Sequence, residues 1–548
     1  MFKTMRSFWV AALLLVATVV SAQVTTSGMS GKLTDEKKEA IIGAIVQAVH
    51  QPSGSRYSTV TNTDGRFNIQ GMRPGGPYEV QIRYVGFKPK SVKNITLELG
   101  ETYNMNIIIN EDAKQMDELV VVGSSSKFAG EKTGASTNIS NAQLESMPTI
   151  SRSITDITRL SPYGGNGMNF AGVDGRTANF TVDGANFNNN FGLSENLPGG
   201  GNPISIDAIE ELQVVISPFD VRQTNFIGGG VNAITKSGTN KFKGTAYVHH
   251  HNENMRGDVV YGQTIPGARD RDRSTTYGAT FGGPIIKDKL FFFANAEYEA
   301  SPSVAVRWRP SVDGKGSEEQ YLSYTTVADM ERVQEFVKTK YGYNTGSFTD
   351  FPADESNLKL LARVDWNIND RNKLAVRYNY TKNTAWNAPN VSSMDGGERS
   401  AFGRTSLYSM PFANSMYSMN NLVHSASVDL NSRITNNLSN QFLATFSKLD
   451  DVRGSNSDEF PFIDIHDGTN TTTQYMALGY ELFTWNNAVH NTVFNIKDDI
   501  TYYTGNHKII AGISYEYQMA DNQYMRNGTG YYRYRSVDDF INGATPEV

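Results

Sequence analysis

The chain lacks cysteine altogether, so neither disulfide bonds nor thiolate metal ligands support its fold. It also lacks a strong excess of one charge: the formal net charge is −6 with both signs intermixed, which excludes the basic footprint of a nucleic-acid-binding protein. Beyond the first 22 residues, no apolar run approaches the roughly 20 residues of a transmembrane helix. We therefore expect no nucleic-acid partner and no helical membrane span in the mature chain.

An export signal occupies the first residues. Two basic residues precede an apolar run from Phe8 to Val20, and the small-residue sequence Val20-Ser21-Ala22 follows. This arrangement is typical of a secretory signal with its cleavage site, because the apolar run is too short to cross a bilayer as a helix. An uncleaved anchor is the alternative. We predict a signal peptide over residues 1–22 and a mature chain beginning at Gln23.

What the chain does contain favours strands and turns. Its 49 glycines and 27 tyrosines are typical of a mainly β protein. The mean hydropathy of −0.42 resembles that of a soluble protein. That average does not exclude a membrane barrel, whose strands alternate lipid-facing apolar and lumen-facing polar residues.

Residues 24–112 have the pattern of a small β-sandwich. About six or seven short alternating segments with turn signals fit into this stretch. The dipeptide Asp64-Gly65 predicts a hairpin between Tyr57–Thr61 and Phe67–Ile69. The sequences Thr63-Asp64-Gly65-Arg66-Phe67 and Tyr84-Val85-Gly86-Phe87 resemble the carboxypeptidase-regulatory-like domain, and this resemblance implies a non-catalytic, transthyretin-like module.

An extended segment follows. Met116-Asp117-Glu118-Leu119-Val120-Val121-Val122-Gly123 is rich in β-branched residues and is followed by three serines, which suits strand addition to a partner's sheet edge. It resembles the TonB box of outer-membrane transporters. The resemblance implies that TonB binds Asp117, Glu118, Leu119, Val120, Val121 and Val122. The alternative is a last strand of the preceding sandwich.

Three sequences in a fixed order resemble the plug domain of TonB-dependent receptors. They are Phe180–Gly184, Ile206–Val214 and Phe226–Lys236, and they predict a strand with an Asp-Gly turn, a short helix, a strand, and a glycine hinge into another strand. The glycines lack the spacing of a nucleotide-binding loop, so we interpret them as sites of close backbone packing. We predict a TonB box and α+β plug over residues 116–236, with a short helix within Ile150–Leu160.

The plug also contains a candidate ligand contact. Asparagine and aromatic side chains suit hydrogen-bonding, stacking ligands, and a plausible plug apex carries them at Asn186, Phe187, Asn188, Asn189, Asn190 and Phe191. A simple Asn-rich loop is the alternative.

From residue 238 onward the chain alternates as a membrane barrel does. Leu360, Ala362, Val364, Trp366 and Ile368 fall on one face of a predicted strand, and Arg363, Asp365, Asn367 and Asn369 fall on the other. Each arm has about the ten residues that a tilted strand needs to cross a bilayer. The same pattern recurs around Phe292–Tyr298, Ala426–Leu430 and Ile509–Tyr517.

The connections favour a membrane barrel over a soluble sandwich. Tight turns at Lys287–Lys289, Asp370–Asn372 and Gly505–Asn506 alternate with long polar stretches at roughly 301–357, 383–421 and 450–490. Short turns at one end and long loops at the other are typical of outer-membrane barrels. We count about nine or ten candidate strands before Val548.

The whole mature chain resembles Oar-like TonB-dependent receptors of the Bacteroidota, through Ser217–Gln223, Gly238 and Asn240 together with the order of its modules. The resemblance implies a barrel of 22 strands, so we expect residues 238–548 to be an incomplete barrel and the chain to end mid-barrel. The predicted fold class is mainly β: a small N-terminal sandwich, an α+β plug and part of a transmembrane antiparallel barrel.

Catalytic chemistry has little support in the sequence. His250 and Glu253 have a spacing known from zinc peptidases, but side chains three apart on a strand point to opposite faces. His249 and His251 share a face, yet further ligands for a tetrahedral metal site are not evident. We expect no enzyme, no cofactor and no metal site.

The resemblance implies a function. It is import of an unidentified ligand across the outer membrane, energised by TonB with ExbB and ExbD, with the sandwich and TonB box in the periplasm. Outer-membrane lipids and an extracellular ligand are the other expected partners, and a surface lipoprotein is a further one. The alternative is a surface adhesion or secretion-linked barrel that imports no solute.

Overall fold

The computed structural model describes residues 24–111, 119–122, 134–147, 149, 152–188, 197–218, 220–264, 272–302, 304–394, 399–469, 473–505 and 507–548. The predicted signal peptide lies outside these residues. Within them, no helix has both the length and the apolar character needed to cross a membrane.

The N-terminal unit is a sandwich of two sheets. One sheet has the order β4-β1-β7 with β8 beside β1, and the other has the order β3-β2-β5-β6-β9. Its strands are β1 (Ser27–Thr34), β2 (Ile45–His50), β3 (Ser55–Val60), β4 (Arg66–Met72), β5 (Gly75–Arg83), β6 (Lys90–Leu97), β7 (Thr102–Asn104), β8 (Ile107–Ile108) and β9 (Leu119–Val122). Alternate residues of both sheets fill a common apolar core, as the sequence predicts.

The predicted hairpin at Asp64-Gly65 is wrong in its pairing. Gly65 adopts the left-handed conformation of a tight turn, with φ of 71°. However, β3 pairs with β2 and β4 pairs with β1, so the turn carries the chain from one sheet to the other. Tyr57 and Phe67, on either side of the turn, both pack into the shared core. Local turn chemistry specifies a reversal of direction, but β3 is already paired with the preceding strand β2, and β4 pairs with the more distant strand β1.

The second unit is the plug. Its strands are β10 (Gly134–Ser140), β11 (Asn179–Val182), β12 (Ala185–Asn186), β13 (Ile209–Pro218) and β14 (Gly230–Thr235), and its helices are α1 (Asn141–Ser146) and α2 (Ile154–Thr158). The sheet order is β10-β13-β14-β11-β12. The helix predicted before β13 is a single 3₁₀ turn, Ile206–Ala208, because the following residues are buried along an extended strand.

The plug glycines pack as closely as the sequence predicts. A Cβ on Gly229 would lie 2.4 Å from a ring carbon of Phe170, and one on Gly228 would lie 2.7 Å from Val173. Gly228 also has φ of 93°, a conformation that L side chains rarely adopt. Larger residues at either position would collide with Phe170 or Val173 of the plug.

The third unit is an antiparallel meander of nine strands in the order β15-β18-β19-β22-β23-β25-β26-β29-β30, which we call the barrel sheet. Its strands are β15 (Lys243–His251), β18 (Ser274–Ile286), β19 (Leu290–Ala300), β22 (Ser356–Asn367), β23 (Asn372–Asn387), β25 (Tyr417–Arg433), β26 (Leu438–Gly454), β29 (Ala488–Thr504) and β30 (His507–Gln523). The connections contain the short strands β16 (Val259–Val260), β17 (Gln263–Thr264), β20 (Arg309–Ser311), β21 (Leu322–Thr326), β24 (Met410–Pro411), β27 (Phe462–His466), β28 (Gln474–Leu478) and β31 (Tyr531–Tyr534), and the helices α3 (Val327–Tyr341) and α4 (Val537–Ile541).

The two faces of the barrel sheet differ as predicted. On β22, Leu360, Val364 and Trp366 are about 40% exposed on the outer face. On the inner face the polar residues are buried, and Lys359 is only 1% exposed. The plug covers this inner face, since Phe293, Leu361, Val423 and Leu449 of the barrel sheet share one apolar cluster with the plug core.

The two ends of the barrel sheet also differ. At what we call the turn end, strands are joined by the short connections 287–289, 368–371, 434–437 and 505–506, which include the predicted turns. The sandwich lies against this end. The amide of Asn240 donates to the carbonyl of Pro52 at 2.8 Å, and Asn367 donates to Ser55 at 2.9 Å. The opposite end is the loop end.

The long connections at the loop end are more ordered than the sequence predicts. They form a loop module in which β24-β28-β27-β31 make a sheet and α3 and α4 pack against it over an apolar core. Within this module Arg404 and Asp464 form a fully buried ion pair of 2.6 Å. The core draws on three separate connections and on the segment after β30, so no single polar stretch reveals it.

Candidate functional site

Sandwich, plug and barrel meet at a buried charge network at the turn end, which consists of Arg73, Asp183, Arg363, Asp365 and Arg377. Asp183 follows the plug strand β11 and is held in a tight turn with φ of 46°. Its carboxylate lies 3.3 Å from Nη1 of Arg363 and 3.4 Å from Nε of Arg377, both on the inner face of the barrel sheet. The plug therefore supplies the anion that compensates buried barrel cations.

The same network extends to the sandwich. Asp365 lies 2.9 Å from Arg363 and 3.1 Å from Arg73, which comes directly after β4. All of these side chains are at most 16% exposed. A cavity of about 410 Å³ adjoins the network and is lined by all three units. Movement of any one unit must therefore break a buried ion pair.

A second polar contact joins the sandwich directly to the plug. Glu211 on β13 accepts from the amide of Leu99 and from Asn138, each at 2.8 Å. Gln213, two residues on, donates to the carbonyl of Leu99 at 2.7 Å. Burial raises the pKa of the Glu211 carboxyl to about 8, against the opposing effect of these hydrogen bonds.

A polar vestibule lies between the plug and the barrel sheet at the loop end. Two cavities of about 440 and 380 Å³ share the lining residues Asn202, Glu299, Ser301 and Glu355, so they form neighbouring parts of one space. The plug contributes Arg152 and the loop Gly200-Gly201, and the barrel contributes His249, His251 and Asn383. The lining carries both charge signs, so it suits a hydrophilic ligand with donors and acceptors.

Glu297 forms the base of this vestibule. It accepts from Nζ of Lys359 at 2.9 Å, from the hydroxyl of Tyr247 at 2.7 Å and from Ser205 of the plug at 2.8 Å. Nearby, Oδ1 of Asn357 is buried without a hydrogen-bond partner in the described residues, while its amide donates to the carbonyl of Gly199. Plug and barrel are thus joined at this end too.

The predicted ligand stretch has mixed surroundings. Phe187 is fully buried and packs edge-on against Phe180, 5.9 Å between ring centroids, in the plug core. Asn186 and Asn188 hydrogen-bond within the plug. Asn189, Asn190 and Phe191 lie outside the described residues. The chain is described again from Leu197, and Gly200 and Gly201 line the vestibule. A ligand contact at 189–191 stays a prediction.

The predicted TonB box is described only in part. Asp117 and Glu118 lie outside the described residues, and Leu119–Val122 forms strand β9. That strand pairs in parallel with β6, from Lys90 opposite Leu119 to Lys93 opposite Val122. The segment is thus a strand at the edge of the described sandwich sheet, as the alternative interpretation expects. It is also an extended β-branched peptide, as a TonB box would be, so the binding of TonB here stays a prediction.

Other expectations concern chemistry. Across the described ranges, no group of three or more histidine, aspartate or glutamate side chains could hold a metal ion.

The sequence alone did not lead to the buried charge network. A sequence signal for the network exists, because Arg363, Asp365 and Arg377 all occupy polar positions of alternating strands. These side chains therefore face inward, towards the plug, and need partners of opposite charge there.

Two family models match the chain. The carboxypeptidase regulatory-like domain matches residues 28–110, and the outer membrane beta barrel domain matches residues 234–306 and 328–545. The second match covers more than half of the chain.

Two characterised relatives are similar in sequence. The TonB-dependent transporter Oar of Myxococcus xanthus is 25% identical over 398 residues, which is 68% of this chain and 35% of Oar. The TonB-dependent receptor P3 of Formosa agariphila is 25% identical over 149 residues, which is 27% of this chain and 14% of that protein. The chain thus spans about a third of the length of Oar and less of P3.

Solved structures also resemble the chain. The outer membrane transporter YddB from Escherichia coli is 14% identical with a TM-score of 0.48, covering 70% of this chain and 48% of its own. The siderophore receptor PirA from Acinetobacter baumannii is 15% identical with a TM-score of 0.42, covering 70% and 47% respectively.

Replacing Asp183 should loosen the plug. In Asp183→Asn, the buried guanidinium of Arg377 loses its anionic partner, and removal of one member of a buried ion pair costs about 3–5 kcal/mol. We expect faster amide hydrogen exchange in β11 and β14 of the purified full-length protein. Asp174→Asn is the matched control, since Asp174 pairs with Arg176 at the plug surface. Equal exchange in both variants would contradict the role of Asp183.

Docking of the sandwich on the plug should weaken as the pH rises. The pKa of Glu211 is raised from its usual 4.5 to about 8, so the folded state holds its proton more tightly than the unfolded state does. Its stabilisation is complete below pH 4.5 and is lost as the pH rises to about 8. The Leu99 amide should therefore lose protection across this window, measured as its exchange rate relative to the intrinsic base-catalysed rate at each pH, and Glu211→Gln should remove this loss. A Gln variant with the same pH profile would refute the assignment.

Proposed function

The chain belongs to the outer membrane beta barrel domain family, and from that premise we propose that it is a TonB-dependent receptor importing a hydrophilic ligand. The protein is located in the outer membrane, and its sequence relatives are TonB-dependent transporters and receptors. The ligand itself is unidentified. Import requires that the barrel be closed at rest and opened by an external source of energy.

The observation that carries this proposal is the closure of the barrel's inner face by the plug. The plug sheet shares an apolar cluster with the barrel sheet and is joined to it through Asp183 at the turn end and Ser205 at the loop end. Each joint is buried. Because the plug is held by both apolar and ionic contacts, a ligand cannot pass without work done on the plug.

The two ends of the barrel sheet set its proposed orientation. Outer-membrane barrels have short turns in the periplasm and long loops outside. In this orientation the sandwich and β9 lie in the periplasm, and the vestibule and loop module face the exterior. The ligand then meets the polar vestibule first, where Glu299 and Glu355 offer acceptors and Arg152 offers donors.

Energy enters at residues 117–122. TonB, driven by ExbB and ExbD, adds a strand to this segment and pulls on it. The first plug element that follows in the chain is β10, an edge strand that pairs only with β13 in the described sheet. The pulling force therefore separates β10 from β13 first. The backbone at the hinge Gly228–Gly230 then changes conformation.

The alternative function is surface adhesion or secretion without solute import. The loop module is the observation that favours this alternative, because an ordered surface with its own apolar core suits contact with a macromolecule. A surface lipoprotein would bind at the same place. The two functions differ in their need for TonB, which makes TonB binding the discriminating measurement.

We expect the isolated periplasmic C-terminal domain of TonB to bind the purified full-length protein. Val121→Pro should weaken the binding about fivefold or more, because proline removes one ladder N–H group worth about 1 kcal/mol. Biolayer interferometry measures the affinity of the TonB domain for the native protein and for the variant.

Val121→Thr is the matched control, since threonine keeps the N–H group and the β-branched shape. It should bind nearly as well as the native protein. Absence of binding by the native protein would remove the coupling to TonB and leave the adhesive or secretory function as the better account.

A further inference from the structure

Strand β9 occupies the edge of a sheet. In the order β3-β2-β5-β6-β9, one side of β9 pairs with β6, and no strand among the described residues pairs with its other side. The backbone groups of a strand alternate between its two sides. Within the described part of the chain, the outer side of β9 therefore has no partner strand, while the inner side is paired with β6.

The position of β9 on the sandwich is set by the direction of β6. The contacts of the sandwich with plug and barrel come from one end of its strands, at Pro52, Arg73 and Leu99. Strand β6 runs towards that end, from Lys90 to Leu97. Since β9 pairs only with Lys90–Lys93, it lies on the half of β6 away from the membrane, roughly 13 Å or more of strand before Leu97.

We propose that the outer edge of β9 is the surface on which TonB docks, and that the sandwich is the template that presents it. This inference rests on the proposed TonB coupling. In the complex, TonB contributes the next strand of the sheet β3-β2-β5-β6-β9, and β9 remains paired with β6. The carboxypeptidase regulatory-like domain thereby has a positive role in energy coupling.

The physical argument is pre-organisation. A free peptide loses backbone conformational entropy for each residue that it orders on binding. Ladder pairing with β6 has already fixed the four residues of β9, so a partner that adds to them is spared most of that loss. If TonB had to detach β9 first, it would instead have to replace the β6 hydrogen bonds.

The absence of native cysteine makes a direct test feasible. Lys93→Cys with Val122→Cys places two thiols at directly paired positions, and the Lys93 side chain is 45% exposed, so its removal leaves the core intact. Oxidation should lock β9 on β6. The control pair is Lys93→Cys with Leu119→Cys, three residues out of register and roughly 10 Å apart, beyond the reach of a disulfide.

The locked full-length protein should bind the C-terminal domain of TonB within threefold of its reduced form, or more tightly. A tenfold or greater loss on oxidation that a reductant reverses would overturn the proposal, because β9 would then have to leave β6. Equal disulfide yields in the paired and control variants would overturn the β6–β9 pairing. Failure of the reduced protein to bind at all would overturn the TonB coupling itself.

Discussion

A strand that crosses lipid must pair its backbone with neighbouring strands, and its polar side chains must face inward. In this chain that constraint puts Lys359, Arg363 and Arg377 on the inner face of the barrel sheet, where water alone does not satisfy them. Asp183 of the plug is the anionic partner of Arg377, and it shares Arg363 with Asp365 of the barrel sheet. The position of the plug on the inner face and the position of the sandwich both depend on these ion pairs.

The sandwich is more than an appended module in this arrangement. Through Arg73 it joins the buried charge network, and through Leu99 it is hydrogen-bonded to Glu211 of the plug. Its opposite half carries β9. The proposed attachment point for TonB is thus linked to the plug both along the chain and through the folded sandwich, so a pull on β9 acts on a body that is already in contact with the plug.

Sequence alone predicted the features that have a local period. Alternation predicted the faces of β22 correctly, with Leu360 outside and Arg363 inside, because neighbouring strands and lipid impose a period of two. Features that depend on contacts between distant parts of the chain were not predicted from the sequence. The turn at Asp64-Gly65 was predicted, but its strand pairing was wrong. The loop module was missed because its core is dispersed over three connections and the segment after β30. Asp183 was interpreted as a turn residue and not as the counter-ion of Arg377.

The central claim is that sandwich and loop module lie on opposite sides of the outer membrane, as import energised from the periplasm requires. Single cysteines can test it in this cysteine-free chain, at Val312→Cys in the loop module and Val85→Cys in the sandwich, where the native side chains are 89% and 94% exposed. A membrane-impermeant maleimide added to intact cells should label the first variant at once and the second only after the outer membrane is permeabilised. Labelling of the Val85→Cys variant in intact cells would contradict the account.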